Sequence, residues 1–327
     1  MKRLFSVLLL VSLLLCGCTR QKNQTFTYLD VFDTVTTVMG DQDQAQKIHE
    51  QLIRYHRLFD IYNEYDGLNN LKTVNDMAGV QPVEVDADII RLLLDCKEYH
   101  HLTGGKVNVA MGSVLKLWHD ARAAGLECPE NAWLPDPAAL EEAAAHTDIE
   151  SIVIDRMAGT VFITDPETSL DVGAIAKGWA VQRVAENADP GMLISVGGNV
   201  FATGPKGENT PWVIGIQSPE GEGNLCTLNI TAGAVVTSGD YQRTYTVDGV
   251  QYHHIIDPAT RMPGTYWRSV TVVGQDSALA DALSTALFLL PLEQGMALAE
   301  RLGVDALWVD AQGAEFMTEG FSPRIRQ

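Results

Sequence analysis

Four short segments of this chain gather residue types that could do chemistry. The first is DVGAIAKGWAV, Asp171 to Val181. Asp171 and Gly173 precede an apolar helical run, Ala174, Ile175, Ala176, Trp179 and Ala180, with Lys177 in its first turn. Small residues at a helix start let a ligand approach the backbone closely. The exposed amides and positive end of such a helix suit a phosphate or another anion. The plainer alternative keeps Asp171 as an N-cap and Lys177 in solvent. The second segment, Ser195 to Gly204, sets two adjacent glycines between strands and reads as a tight turn. It lacks the GxGxxG spacing of a dinucleotide fingerprint.

The third segment runs from Ser238 to Pro258. A predicted hairpin around Asp248-Gly249 delivers His253 and His254 to a strand end, close to Asp257. Strand neighbours point to opposite faces, so only one of the two imidazoles is expected to face a given pocket. Asp240 and Arg243 add polar groups just before the hairpin. The fourth, Asp276 to Leu290, is an apolar helix in which Asp281, Ser284 and Thr285 fall at i, i+3 and i+4 and share one face. A buried carboxylate and two hydroxyls need partners. The hydroxyls could bond back to the preceding turn. Alternatively the face holds a hard cation: Mg²⁺ suits one carboxylate, a hydroxyl, a backbone carbonyl and phosphate oxygens of a substrate. Asp281 is the leading candidate.

Composition narrows the partners. The chain has 327 residues, 42 Asp and Glu against 23 Lys and Arg, and a formal charge of -19. No nucleic acid is expected, because phosphate neutralisation needs a basic face. An anionic substrate would need a cation to screen it. The 5 cysteines form no CxxC pair, which argues against a zinc ribbon or a thioredoxin-type site.

The N-terminus reads as an address. Lys2 and Arg3 precede an apolar run from Phe5 to Leu15, the length of a signal-peptide core and too short to span a bilayer. The run ends Leu15-Cys16-Gly17-Cys18, similar to a bacterial lipobox with Cys18 taking the lipid. This divides the chain into a lipoprotein signal peptide over 1–17, a tether over 18–25 and one domain over 26–320. It implies an extracytoplasmic protein anchored to the cell membrane by lipid. Cys96, Cys128 and Cys226 remain and are expected in the core.

The elements that must position these groups follow from periodicity. Residues 26–39 read as one strand, 43–60 and 86–101 as helices, and 137–145 as a short helix. Residues 151–154 and 160–163 form a hairpin. Short strands follow from Met192, then helices over 277–290 and 292–302, then a hairpin over 306–317. Strand runs with intervening helices and short turns imply an α+β fold with largely antiparallel sheets.

Together the four segments resemble the FAD:protein FMN transferases of the ApbE type, over nearly the whole chain from Phe26 to Met317. The most specific pieces are Asp171 to Gly178, Gly197 to Gly204, His254 to Pro258 and Ala280 to Ala286, in that order. The resemblance implies two intertwined halves of sheet and helix with an FAD cleft between them. It implies Mg²⁺-dependent transfer of FMN from FAD to a Thr or Ser hydroxyl of an acceptor flavoprotein, with release of AMP. By motif position Asp281 and Thr285 would bind the metal, with the Ala174 carbonyl completing the protein side and Ser284 nearby. Met39, Tyr62, Asp171, Lys177 and Ile256 would touch FAD, and His254 would be the catalytic His.

Three departures stand out. Asp41 follows Gly40 in place of a Thr. The family's Gly-Ala-Phe-Asp-x-Thr segment appears as GKVNVA, so Lys106, Val107 and Asn108 replace the usual FAD contacts. Arg261 and Met262 stand where a Gly usually follows the Asp-Pro-x-Thr turn. A hydroxyl nucleophile needs a base near neutral pH, and a neutral His supplies one. His254 is the choice, His253 the fallback, and Asp257 would orient the ring. The competing readings are an FAD pyrophosphatase and a non-catalytic FAD-binding lipoprotein.

Overall fold

Phe32 and Asp33 both adopt left-handed backbone angles, with φ of 53° and 51°. They split the single strand expected over 26–39 into a hairpin, β1 (Gln24–Val31) and β2 (Thr34–Gly40). The turn carries no Gly or Asn, so the usual two-residue signal is missing. The computed structural model describes residues 24–326. The predicted signal peptide, Cys18 and most of the tether lie outside the described residues.

Several helices begin where short polar side chains cap them. Asp41 accepts the amides of Asp43 and Gln44 at the start of α1 (Gln42–Phe59). Asn70 and Thr73 form a capping box on α2 (Leu71–Asp76). After β3 (Val83–Glu84), Asp86 caps α3 (Ala87–Leu102). The next helix, α4 (Gly112–Glu127), was not expected from the sequence. It starts from Met111 with no side-chain cap, yet its stripe of Val114, Trp118, Ala121 and Gly125 is buried. Then come α5 (Pro137–Ala144), the hairpin β4 (Ile152–Asp155) and β5 (Thr160–Ile163), and α6 (Ala176–Glu186). Strands β6 (Leu193–Val196), β7 (Asn199–Ala202), β8 (Trp212–Gln217), β9 (Asn224–Ile230) and β10 (Gly233–Gly239) follow. The chain continues through β11 (Tyr245–Val247), β12 (Val250–Tyr252), β13 (Ser269–Gly274), α7 (Ser277–Phe288) and α8 (Leu292–Leu302). It closes with β14 (Asp305–Val309) and β15 (Glu315–Met317).

Eight strands make the main sheet, in the order β1-β2-β6-β7-β10-β13-β14-β15. Every neighbouring pair is antiparallel, so the α+β expectation holds. Alternation along each strand separates two cores. Val38, Val236 and Val272 face the helices and join Trp179, Leu283 and Phe288 in the larger core. Val235, Val273 and Leu307 face the β8–β9 ribbon and pack with Trp212, Ile214 and Leu228. A third cluster ties Trp118 and Ala121 of α4 to Tyr245, Val247 and Ile256. It fixes α4 against the β11–β12 hairpin and so builds one wall of the site. In α7 all residues but Leu279 and Thr285 are buried. Its Leu and Phe side chains each contribute about 2–3 kcal/mol on burial, which holds Asp281 in an apolar setting despite the cost of desolvating it. The three cysteines among the described residues are free, and Cys128 is exposed rather than in the core because it sits at the C-terminal end of α4.

Candidate active site

A cavity of about 760 Å³ opens between the main sheet and the α4 region. It draws on β2, β10, the 253–256 segment and α7 on one side. On the other it draws on Tyr62, the 106–122 stretch and residues 169–177. Among its lining residues are five Asp and five Lys or Arg, although acids far outnumber bases in the whole chain. The cavity is therefore far less hostile to an anion than the chain's net charge suggests.

The floor is the contact between α6 and α7. The Gly178 amide donates to Asp281 Oδ2 at 2.7 Å, and Lys177 Nζ lies 3.9 Å from the same oxygen. Burial pushes the Asp281 carboxyl above its usual range, opposed by the Lys177 charge and the Gly178 amide. Thr285 lines the cavity one turn further along α7, and Ala174 faces it from the loop before α6. Ser284 does not join them. It is fully buried, and its hydroxyl meets Ser238 Oγ at 2.8 Å and donates to the Asp281 carbonyl at 2.9 Å. Helical spacing put Ser284 and Thr285 on one face, but neighbours are 100° apart, and only Thr285 reaches the opening.

Asp171 lines the same cavity. It is not an N-cap. Its Oδ1 accepts the Gly173 amide at 2.8 Å in a local turn, and Ile175 begins α6 with no side-chain cap. Asn75 pins the neighbouring backbone, bonding both the N–H and C=O of Leu170. Burial pushes the Asp171 carboxyl up, with Arg243, His119 and Lys177 opposing. Tyr62 stands at the rim, 57% exposed, with its ring 5.5 Å from that of His119.

Both imidazoles line the cavity. The expectation that only one would face it assumed a continuing strand, but β12 ends at Tyr252. His253 has both nitrogens engaged: Nε2 donates to the Gly264 carbonyl at 2.9 Å and Nδ1 accepts the Ile255 amide at 3.2 Å. Its ring packs edge-on against Phe288. His254 makes one bond, from Nδ1 to the Gln242 carbonyl at 3.1 Å. A carbonyl only accepts, so Nδ1 carries the proton and Nε2 keeps a free lone pair. Burial, then Arg243, His253 and Lys177, push this imidazole down to about 3.

Several expected contacts fall elsewhere. Met39 packs, partly buried, against the second core, on the face of β2 opposite Val38. Reading 26–39 as one strand hid that facing. Asp257 does not orient His254: both its oxygens meet Lys106 Nζ, at 2.9 and 3.0 Å. Lys106, Val107, Asn108 and Ile256 do line the cavity. The Asn108 amide, however, is spent on the Thr147 carbonyl and the Ala110 N–H. Asp240 pairs with Arg268 at 2.8 Å, away from the opening. The sequence reading missed His119 and Arg122, which lie on α4. The recurrence of Val114, Trp118, Ala121 and Gly125 was the available signal.

The candidate ligands that line the cavity here, Asp281, Thr285 and Ala174, all offer oxygen. Among the described residues no three His, Cys, Asp or Glu side chains converge as a metal site. A cation here would rest on one carboxylate, the Thr285 hydroxyl, the Ala174 carbonyl and oxygens of a ligand. That set fits Mg²⁺, which keeps few protein ligands. A raised, buried carboxyl is also the group a cation would stabilise.

The fold agrees with comparison to known proteins. The chain belongs to the ApbE family, whose model matches residues 27–308. It is 35% identical over 277 residues to the FAD:protein FMN transferase of Treponema pallidum (strain Nichols), covering 78% of this chain and 75% of that protein. It is 31% identical to one from Klebsiella pneumoniae (strain 342), covering 82% and 83%. Among solved structures, the ApbE protein of Thermotoga maritima superposes with a TM-score of 0.84 at 30% identity, covering 94% of this chain and all of that one. The flavin transferase ApbE of Vibrio cholerae gives 0.77 at 25% identity, covering 93% and 99%.

Proposed function

We propose that this chain is an FAD:protein FMN transferase that moves FMN from FAD to a Thr or Ser hydroxyl of an acceptor flavoprotein, releasing AMP. The observation that carries this reading is one cavity holding two complementary devices. The Asp281–Thr285–Ala174 oxygens beside Lys177 suit a cation and a diphosphate. The free Nε2 of His254 suits a proton acceptor. In the transfer, the acceptor oxygen bonds to the FMN phosphorus, the bond from that phosphorus to the bridging oxygen breaks, and AMP leaves with that oxygen. The hydroxyl proton goes to His254 Nε2. Lys177 and the Asp171 turn orient the anion, and Tyr62 and Ile256 offer the flavin ring a face and an apolar floor. Asp281, Thr285 and the Ala174 carbonyl would hold Mg²⁺, which would supply charge neutralisation at the diphosphate.

The first eighteen residues support export and a lipid anchor on Cys18, which would place the enzyme on the outer side of the cell membrane. Incubation of the protein with FAD, Mg²⁺ and an acceptor domain, read by intact mass, tests the reaction. FMN gained by the acceptor supports transfer. Release of FMN and AMP with no acceptor gain supports the pyrophosphatase instead. Binding without turnover supports a carrier.

A further inference from the structure

Lys106 was expected to touch FAD, yet its ammonium bonds both oxygens of Asp257 across 151 positions of chain. The pair is well shielded, with side chains 21% and 12% exposed. Each partner sits in a stiff loop. Around Lys106, the Thr103 hydroxyl accepts the Val107 amide, and Asn108 is tied to Thr147. Around Asp257, the backbone N–H donates to the Met262 carbonyl and the C=O accepts the Arg261 amide. Asp257 Oδ1 also accepts the Ala259 amide, and Trp118 Nε1 donates to the Arg261 carbonyl. The Gly264 amide returns to the Ile255 carbonyl. His254 directly precedes this closed loop, and only its bond to Gln242 holds the ring itself.

We propose that Lys106 is a positioning residue: its ion pair with Asp257 docks the 255–264 loop on the cavity wall and thereby sets where the His254 ring sits. This rests on the transferase reading above. The reason is mechanical. Ile255 and Ile256 are buried between His254 and Asp257, so a displacement of Asp257 passes along a short packed segment. Removing Lys106 leaves a buried carboxylate without its cation, which costs more than the pair itself was worth. The loop then moves to hydrate it. A catalytic group misplaced by about 1 Å loses up to about 100-fold in rate.

The test compares Lys106→Met, Lys106→Arg, Asp257→Asn and the double variant Lys106→Met/Asp257→Asn. Lys106→Met should lower kcat for FMN transfer about 10- to 100-fold, with KM for FAD changed less than about 3-fold. Lys106→Arg should recover most of the rate. The double variant should be no slower than Lys106→Met alone, because the two residues act as one unit. A KM rise with kcat kept, or losses that multiply in the double variant, would overturn the proposal in favour of a direct FAD contact. Imidazole NMR of the FAD-free protein separates this from the function itself. The His254 signal should shift in Lys106→Met and return in Lys106→Arg, whether or not the wild type turns over. An unmoved signal rejects the positioning role alone, whereas an inactive wild type rejects the transferase reading alone.

Discussion

Gly178 and Asp281 stand so close that a side chain on the first would collide with the second. A Cβ built on Gly178 lies 2.4 Å from Asp281 Cβ and 2.4 Å from the Ser277 carbonyl. The missing side chain lets α6 and α7 approach until the Gly178 amide reaches Asp281 Oδ2 at 2.7 Å. The carboxylate is thereby aimed by the backbone of a neighbouring helix.

Gly178→Ala should therefore separate the helices. The expected cost is about 1–3 kcal/mol of stability from overpacking, read by urea denaturation. FMN transfer should fall at the same time, because the Asp281 oxygens move. A variant with wild-type stability and rate would show that the contact has slack.

Asp281→Asn tests the carboxylate without changing its size. Mg²⁺-dependent turnover should be lost, and chelation by EDTA should abolish wild-type activity. Stability should move the other way in metal-free, FAD-free protein. The folded pKa is raised by burial, so ionisation above the unfolded carboxylate range penalises the folded state. Removing the charge should raise Tm near neutral pH, and the gain should fade as pH falls towards that range. A lower Tm at neutral pH would mean that Lys177 and the Gly178 amide more than offset the desolvation.

Much of this arrangement was readable from residue order because the relevant elements are local. Asp86 caps a helix that begins one residue later, and α7 shows its carboxylate within a single apolar run. What escaped were facts of facing and pairing. Met39 lies on a strand whose face depends on a turn at Phe32-Asp33 that has no Gly to announce it. Asp257 looked like a partner for the histidine three residues before it. Its partner is Lys106, from a loop far away in the chain, and no local periodicity encodes a tertiary ion pair. Helix α4 escaped because no side-chain cap announces its start, and it is held by the packing of residues such as Trp118 and Ala121.

Cys18→Ala should release the protein from the membrane fraction without changing the specific activity of the soluble domain. The described residues include no helix long and apolar enough to cross a membrane, and the predicted lipid is the proposed tie. Continued membrane association of the variant would remove the anchor from the argument.

The two histidines should fail in different ways. His253 has both ring nitrogens bonded and packs on Phe288. His253→Ala should cost about 2–3 kcal/mol of stability, two hydrogen bonds plus a lost buried ring, with a smaller loss of rate per folded molecule. His254→Ala should still bind FAD, while transfer falls about 10²- to 10⁴-fold, the usual worth of a positioned general base. The pH profile carries the sign. A base must be neutral, so the rate falls as pH drops through its pKa. An unperturbed His would put that limb at about 6.5. Burial and the Arg243, His253 and Lys177 neighbours push His254 down to about 3. The acidic limb of kcat/KM, which reports the free enzyme, should therefore lie well below 6.5. An anionic substrate beside Lys177 offsets those cations, so the limb of kcat should sit higher than that of kcat/KM. Profiles from single-turnover and steady-state kinetics check both statements. If His254→Ala keeps the full rate at every pH, the proton goes elsewhere and His254 is not the base.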